Sequence, residues 1–167
     1  DQTSWLLETL DDSKEAGSTW RIVGQQVIVS PISFDGANFN PDAWDGYRAN
    51  RAQVLNHLDE NGIENVVFLA GDVHSSWAFE VPSADDARDS ASAIEFVTPA
   101  ISSPPIGRNP KVLEVLDATA KFTPHLRYSN VNDQGYAILD LTPERARVEY
   151  IYTEPADQTR SGSGRLG

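Results

Sequence analysis

Apolar residues recur at helical spacing at the start of the chain, where Trp5, Leu6 and Leu10 of residues 3–14 share one face and Thr3 or Ser4 is placed to cap it. Gly17-Ser18 breaks the pattern, and Trp20–Ser30 then reads as a β-rich strand. Pro31–Pro41 carries the turn residues Gly36, Asn38 and Asn40 and predicts a loop. Tyr47, Arg51, Val54, Leu55 and Leu58 repeat at three and four, predicting a helix over 46–61 that stops at Asn61-Gly62. Asn65–Ala70 is a short continuous apolar run, the pattern of a strand buried on both faces. Residues 76–81 alternate as an ordinary strand, Pro82–Ala91 is acidic and loop-like, and Ala93–Thr98 is a further strand. After the Pro-rich stretch 99–105, Val112, Leu113, Leu116 and Ala120 predict a helix over 109–121. Gly135–Leu141 and Arg145–Thr153 form a hairpin pattern around Thr142-Pro143-Glu144.

This order predicts an α/β (α+β) layered sandwich, a mixed sheet flanked by helices. Residues 1–153 form one domain part and 154–167, rich in Ser and Gly, a flexible tail.

Composition narrows the chemistry. The 167 residues hold 25 acidic and 13 basic side chains, a net charge of −12, so a nucleic-acid-binding surface is not expected. With no Cys there is no disulfide, thiolate metal site or cysteine nucleophile. No apolar run reaches the ~20 residues of a membrane span. The acidity has a further consequence: an anionic substrate would need a strongly positive group in the site, and bound metal ions supply one.

The chemically informative string is Val66–Ala70 followed by Gly71-Asp72-Val73-His74. Ligands in open α/β sheets sit beyond the carboxyl ends of strands, where this string places an Asp and a His. Asp72 offers a hard oxygen and His74 an imidazole nitrogen, a mix that suits Fe, Zn or Mn. Taken alone, Asp72 capping a turn and His74 lying on a loop explain the string equally well. A second cluster, Asp42-Ala43-Trp44-Asp45-Gly46-Tyr47, sets two aromatics and two carboxylates at a helix start, where capping by Asp45 and packing by Trp44 are the plain explanation.

Taken in order, further blocks join these two: Gln2–Leu6, Ile22–Val27, Trp44–Tyr47 with Arg51, Asn65–Trp77, Glu95–Pro99, Pro124–Leu126, Gly135-Tyr136 and Leu139–Glu144. The set resembles the C-terminal half of the PhoD-type alkaline phosphatases, of the calcineurin-like metallophosphoesterase superfamily, over residues 2–152. The resemblance implies a metallophosphoesterase sandwich that hydrolyses phosphate monoesters and diesters with metal-activated water. It implies Fe3+ and Ca2+ as cofactors, with Zn2+ or Mn2+ as substitutes, and export to the periplasm or the extracellular space. Carried over, Asp72 and His74 are catalytic, metal-site residues, His74 foremost as a direct ligand, while Asp45 and Tyr47 line the wall and His125 lies near the site. The early Asp-rich motifs, an Asn, and the Cys and Tyr that complete the family's ligand set have no counterpart here. The expected partner is therefore an N-terminal half of the same enzyme or a complementary chain. A noncatalytic acidic module or a degenerate phosphatase fragment is the alternative.

Other candidates are weaker. His57 fits a structural role on its helix, Asn130 and Asn132 fit turns, and Arg51 and Arg127 fit either phosphate neutralisation or ion pairing. No nucleophile elbow is flanked by a strand and a helix, and no P-loop occurs.

Overall fold

The computed structural model describes residues 1–34, 37–38, 40–82, 91–114 and 123–153. Helix α1 (Gln2–Glu15) is capped by Asp1, whose carboxylate accepts from the Ser4 amide at 2.9 Å and the Ser4 hydroxyl at 3.0 Å. The cap thus falls two or three residues ahead of Thr3 and Ser4, because Asp1 reaches the orphan N–H groups of the first turn. Strand β1 (Arg21–Gly24) is followed by the short pair β2 (Ser33–Phe34) and β3 (Ala37–Asn38). A 3-10 turn at Trp44–Gly46 leads into α2 (Arg48–Glu60), closed by Asn61 and by Gly62 at φ +56°. Then come β4 (Val66–Ala70), β5 (Ser76–Pro82), β6 (Ala91–Val97), β7 (Leu126–Asn130), β8 (Gln134–Thr142) and β9 (Arg145–Thr153).

The main sheet has the order β1-β4-β6-β5-β7. β1, β4 and β6 run parallel; β5 is antiparallel to both β6 and β7. On one face, Leu10 of α1 and Val54, Leu55 and Leu58 of α2 pack on Val66, Phe68, Val81 and Ala93. A second cluster continues that layer with Ile28, Ile32, Ala70, Trp77, Phe79 and Val97. The β8–β9 hairpin serves the other face. Tyr150 stacks on Tyr128, ring centroids 5.3 Å apart, and its hydroxyl donates to the Trp77 carbonyl at 2.6 Å. Tyr128 stands opposite Ala78 in the register, away from Trp77 and Phe79. Trp20 Nε1 donates to the Thr142 carbonyl at 2.6 Å and fastens the hairpin's far end.

Two expectations change. The strand expected over Trp20–Ser30 ends at Gly24: the Gln25 amide still donates to the Leu69 carbonyl of β4, but beyond it the amides of Val27, Val29 and Ser30 bond side chains. Gln25 bonds both the amide and the carbonyl of Val27. The buried carboxylate of Glu95 accepts from the amides of Val29 at 2.7 Å and Ser30 at 2.8 Å. Residues 28–32 are apolar for burial, not for strand pairing. Second, Leu126–Asn130 is an edge strand with an exposed middle, which its polar sequence concealed. The helix expected over 109–121 begins with helical residues 110–114, and its remainder lies outside the described residues, as do most of the Pro82–Ala91 loop and the 154–167 tail.

Glu95 yields a stability prediction. Burial raises its pKa above the ordinary 4.5, with the Val29 and Ser30 amides and the Arg51 charge pulling back. A raised folded pKa means that the folded state binds the extra proton, so this contribution is full below 4.5 and is lost as pH climbs through the raised value. Glu95→Gln presents an amide NH2 to one backbone N–H and is expected to cost about 1–3 kcal/mol. Urea unfolding in mildly acidic and mildly alkaline buffers should also show a flatter pH dependence in the variant. An unaltered pH slope would contradict the assignment.

Candidate functional site

β4 is buried along its length and lies in the middle of a parallel trio, so its carboxyl end opens where the chain must leave the sheet. It leaves through a tight turn: the Val73 amide donates back to the Gly71 carbonyl at 2.9 Å. Asp72 at φ +71° and His74 at φ +51° both occupy the left-handed region. That region costs a non-glycine residue of order 1–3 kcal/mol, least for Asp, Asn and His, and such strain gathers at functional sites. Both side chains are exposed. Gly71 is not the strained residue: a Cβ there would meet only Thr98 Cγ2 at 3.7 Å, an ordinary contact. The fold therefore leaves room at Gly71 and places the strain on the two polar residues.

The turn is tied down on each side. The Gly71 amide donates to the Gln26 carbonyl at 3.2 Å, and the Ser75 hydroxyl donates to the Val73 carbonyl at 3.0 Å while accepting from Trp77 Nε1 at 2.6 Å. His74 Nδ1 lies 3.2 Å from the Pro104 carbonyl.

The remaining candidates bond other segments. Asp45 is 4% exposed and pairs with Arg51 (2% exposed) at 2.7 Å, while its second oxygen accepts from the Ile32 amide at 3.1 Å. Arg51 Nη1 also donates to the Val29 carbonyl at 3.3 Å. The pair thus sits in the core, holding residues 28–32 together with Glu95. Tyr47 is 62% exposed and lines a cavity of about 560 Å³ with Trp5, Trp44, Gln25 and Gln26. Gln26 connects this cavity to the Gly71 turn through its carbonyl. His125 Nε2 donates to the Pro31 carbonyl at 2.7 Å, and its ring lies 6.0 Å from that of Phe79. Burial pushes the His125 imidazole down, with the Pro31 bond and Asp45 opposing and Arg51 and Arg127 assisting. His125 thus bonds the same 28–32 segment that Asp45 and Glu95 contact.

His57 bonds Asp11 at 2.8 Å, joining α2 to α1, and Arg127 pairs with Glu80. Asn130 Oδ1 accepts from the amides of Asn132 at 3.0 Å and Asp133 at 3.2 Å, the turn expected of it. Glu95 is the buried acid that sequence reasoning passed over.

Among the described residues no group of three or more His, Asp or Glu side chains is arranged to hold a metal. Asp72 and His74 nonetheless fit part of a metal shell. Both are exposed on one turn, and the contact at Nδ1 leaves Nε2 for a ligand.

The family model for PhoD-like phosphatases matches residues 1–150. The chain belongs to the PhoD-like phosphatase family. It is 32% identical over 166 residues to alkaline phosphatase D of Bacillus subtilis (strain 168), a match covering 93% of this chain and 27% of that protein. It superposes on a solved structure titled "Structure of PhoD" with a TM-score of 0.67 at 24% identity, covering 89% of this chain and 31% of the other. This similarity shows the fold. The chain spans between a quarter and a third of the length of the relatives it matches.

Proposed function

We propose that this chain is the part of a metal-dependent phosphatase that contributes Asp72 and His74 to hydrolysis of phosphate monoesters and diesters. The remaining metal ligands come from an N-terminal half of the same enzyme or a complementary chain. The observation that carries the reading is the strained, exposed Asp72–His74 turn at the end of a buried parallel strand, in a chain of the PhoD-like phosphatase family. Fe3+ and Ca2+ are the proposed ions, with Zn2+ or Mn2+ as substitutes, and the periplasm or extracellular space is the proposed location.

A metal held in part by Asp72 and His74 would supply an activated water and neutralise charge on the phosphoryl oxygens. The chain's own residues do the positioning. His74 offers Nε2 while Nδ1 faces the Pro104 carbonyl. Asp72 adds a carboxylate oxygen, and its negative charge offsets part of the metal charge. The turn's bonds to Gln26 and Ser75 hold both donors in place before any ligand arrives. Tyr47, with its exposed hydroxyl beside the Gln26 cavity, is the proposed wall residue for the ester's organic portion.

The test is hydrolysis of an activated phosphodiester at alkaline pH, with calcium and iron, by this chain assembled with the part of the phosphatase that precedes it. Turnover that requires both parts supports the reading. Turnover by the other part alone, at the same rate, would overturn it.

A further inference from the structure

His74 is gripped twice by one segment. Its ring Nδ1 faces the Pro104 carbonyl at 3.2 Å, and its own carbonyl accepts from the Ile106 amide at 3.4 Å. A carbonyl only accepts, so the ring nitrogen facing it carries the proton and the other keeps its lone pair. The 100–107 segment is in turn anchored by the connection between β7 and β8 and by the first residues of β8. Gln134 Nε2 donates to the Ser103 carbonyl at 2.9 Å, the Gly135 amide to the Ala100 carbonyl at 3.0 Å, and the Gly107 amide to the Val131 carbonyl at 2.8 Å. The approach at Gly107 is close enough that an added Cβ would lie 2.5 Å from both the Val131 carbonyl and Asn132 Oδ1. Gln134 is the buried side chain in this anchorage.

We infer that Gln134 is a positioning residue: by holding the Ser103–Pro104 backbone, it fixes His74 as the Nδ1–H tautomer and points Nε2 outward as the metal-binding nitrogen. The inference rests on the reading of His74 as a ligand, but its structural half stands apart from that reading. A ligating histidine is oriented by whatever bonds its second nitrogen, and the tautomer follows from that bond. Here the bond comes from backbone, so the sequence of the 104 position matters less than what holds that backbone still. Replacing Gln134 by methionine keeps length and apolar bulk while removing the only group that donates from this side chain. The Ser103 carbonyl then loses its donor, the segment relaxes, and the ring is free to change tautomer.

The experiment is nitrogen-detected NMR of the metal-free chain at alkaline pH, with His74 assigned by comparison with His74→Ala. The wild-type chain is expected to show predominantly the Nδ1–H tautomer at His74, and Gln134→Met to shift the population toward Nε2–H. His57 and His125, bonded elsewhere, should not move, which marks a variant that has kept its fold. In the assembled enzyme the same substitution should weaken metal binding about 10–100-fold. A wild-type His74 that is mainly Nε2–H overturns the inference without need of any variant. A folded Gln134→Met with an unchanged tautomer overturns the role of Gln134. If the tautomer behaves as stated while metal content is insensitive to His74, the clasp stands and the ligand reading fails.

Discussion

Arg51→Met is expected to remove a large part of the stability of this chain. Arg51 and Asp45 are both buried, and their 2.7 Å contact is joined by the Arg51 bond to the Val29 carbonyl and the Asp45 bond to the Ile32 amide. Taking the guanidinium away removes this buried pair's cation, which costs about 3–5 kcal/mol in comparable buried pairs. Domains of this size hold about 5–15 kcal/mol in total. The loss also releases the 28–32 segment that Glu95 and His125 contact, so the damage spreads across the centre of the fold. Replacing both partners with apolar residues, Asp45→Leu with Arg51→Met, should recover part of the loss, because an empty pair costs less than a broken one. Urea unfolding of the three proteins checks this. A single-variant loss below about 1 kcal/mol, the value of an exposed pair, would contradict the buried-network account.

His74→Ala and Asp72→Asn carry the second large expectation, this time in activity. If the exposed turn supplies two metal donors, losing either should reduce phosphoesterase turnover by more than the ~10–100-fold typical of groups that only orient a ligand. Stability should change little or even rise for His74→Gly, since glycine relieves a left-handed backbone at φ +51°. This opposite movement of activity and stability identifies a residue held in strain for function. Parallel losses of both would identify a structural residue instead.

The legible parts of the sequence were those where burial and periodicity agree. The apolar run 66–70 between a helix stop and Gly71 has the pattern of an interior strand and is one, and the motif after it lies where such strands open. The 46–61 repeat and the 134–153 hairpin were plain for the same reason, and His57 and Asn130 do what their local settings suggest. The hidden parts were those whose partners are distant in sequence. Glu95 alternates within β6 like a surface residue, and only the return of residues 29 and 30 makes it a buried acceptor. Asp45 and Arg51 are six residues apart and read as a cap and a helical surface charge, yet they form a core ion pair. The partner of the His74 ring is a backbone carbonyl, which no side-chain motif can reveal. The left-handed backbone at Asp72 and His74, adjacent to an unstrained Gly71, was equally silent.

Whether this chain lends metal ligands to a phosphatase site is tested more directly by metal content than by rate. The assembled enzyme and its His74→Ala variant should be purified in parallel, dialysed against metal-free buffer and measured for bound iron and calcium by elemental analysis. The account predicts that the variant, folded and assembled, loses bound metal together with phosphodiester hydrolysis. Full metal content in the variant, with activity gone or intact, would contradict it.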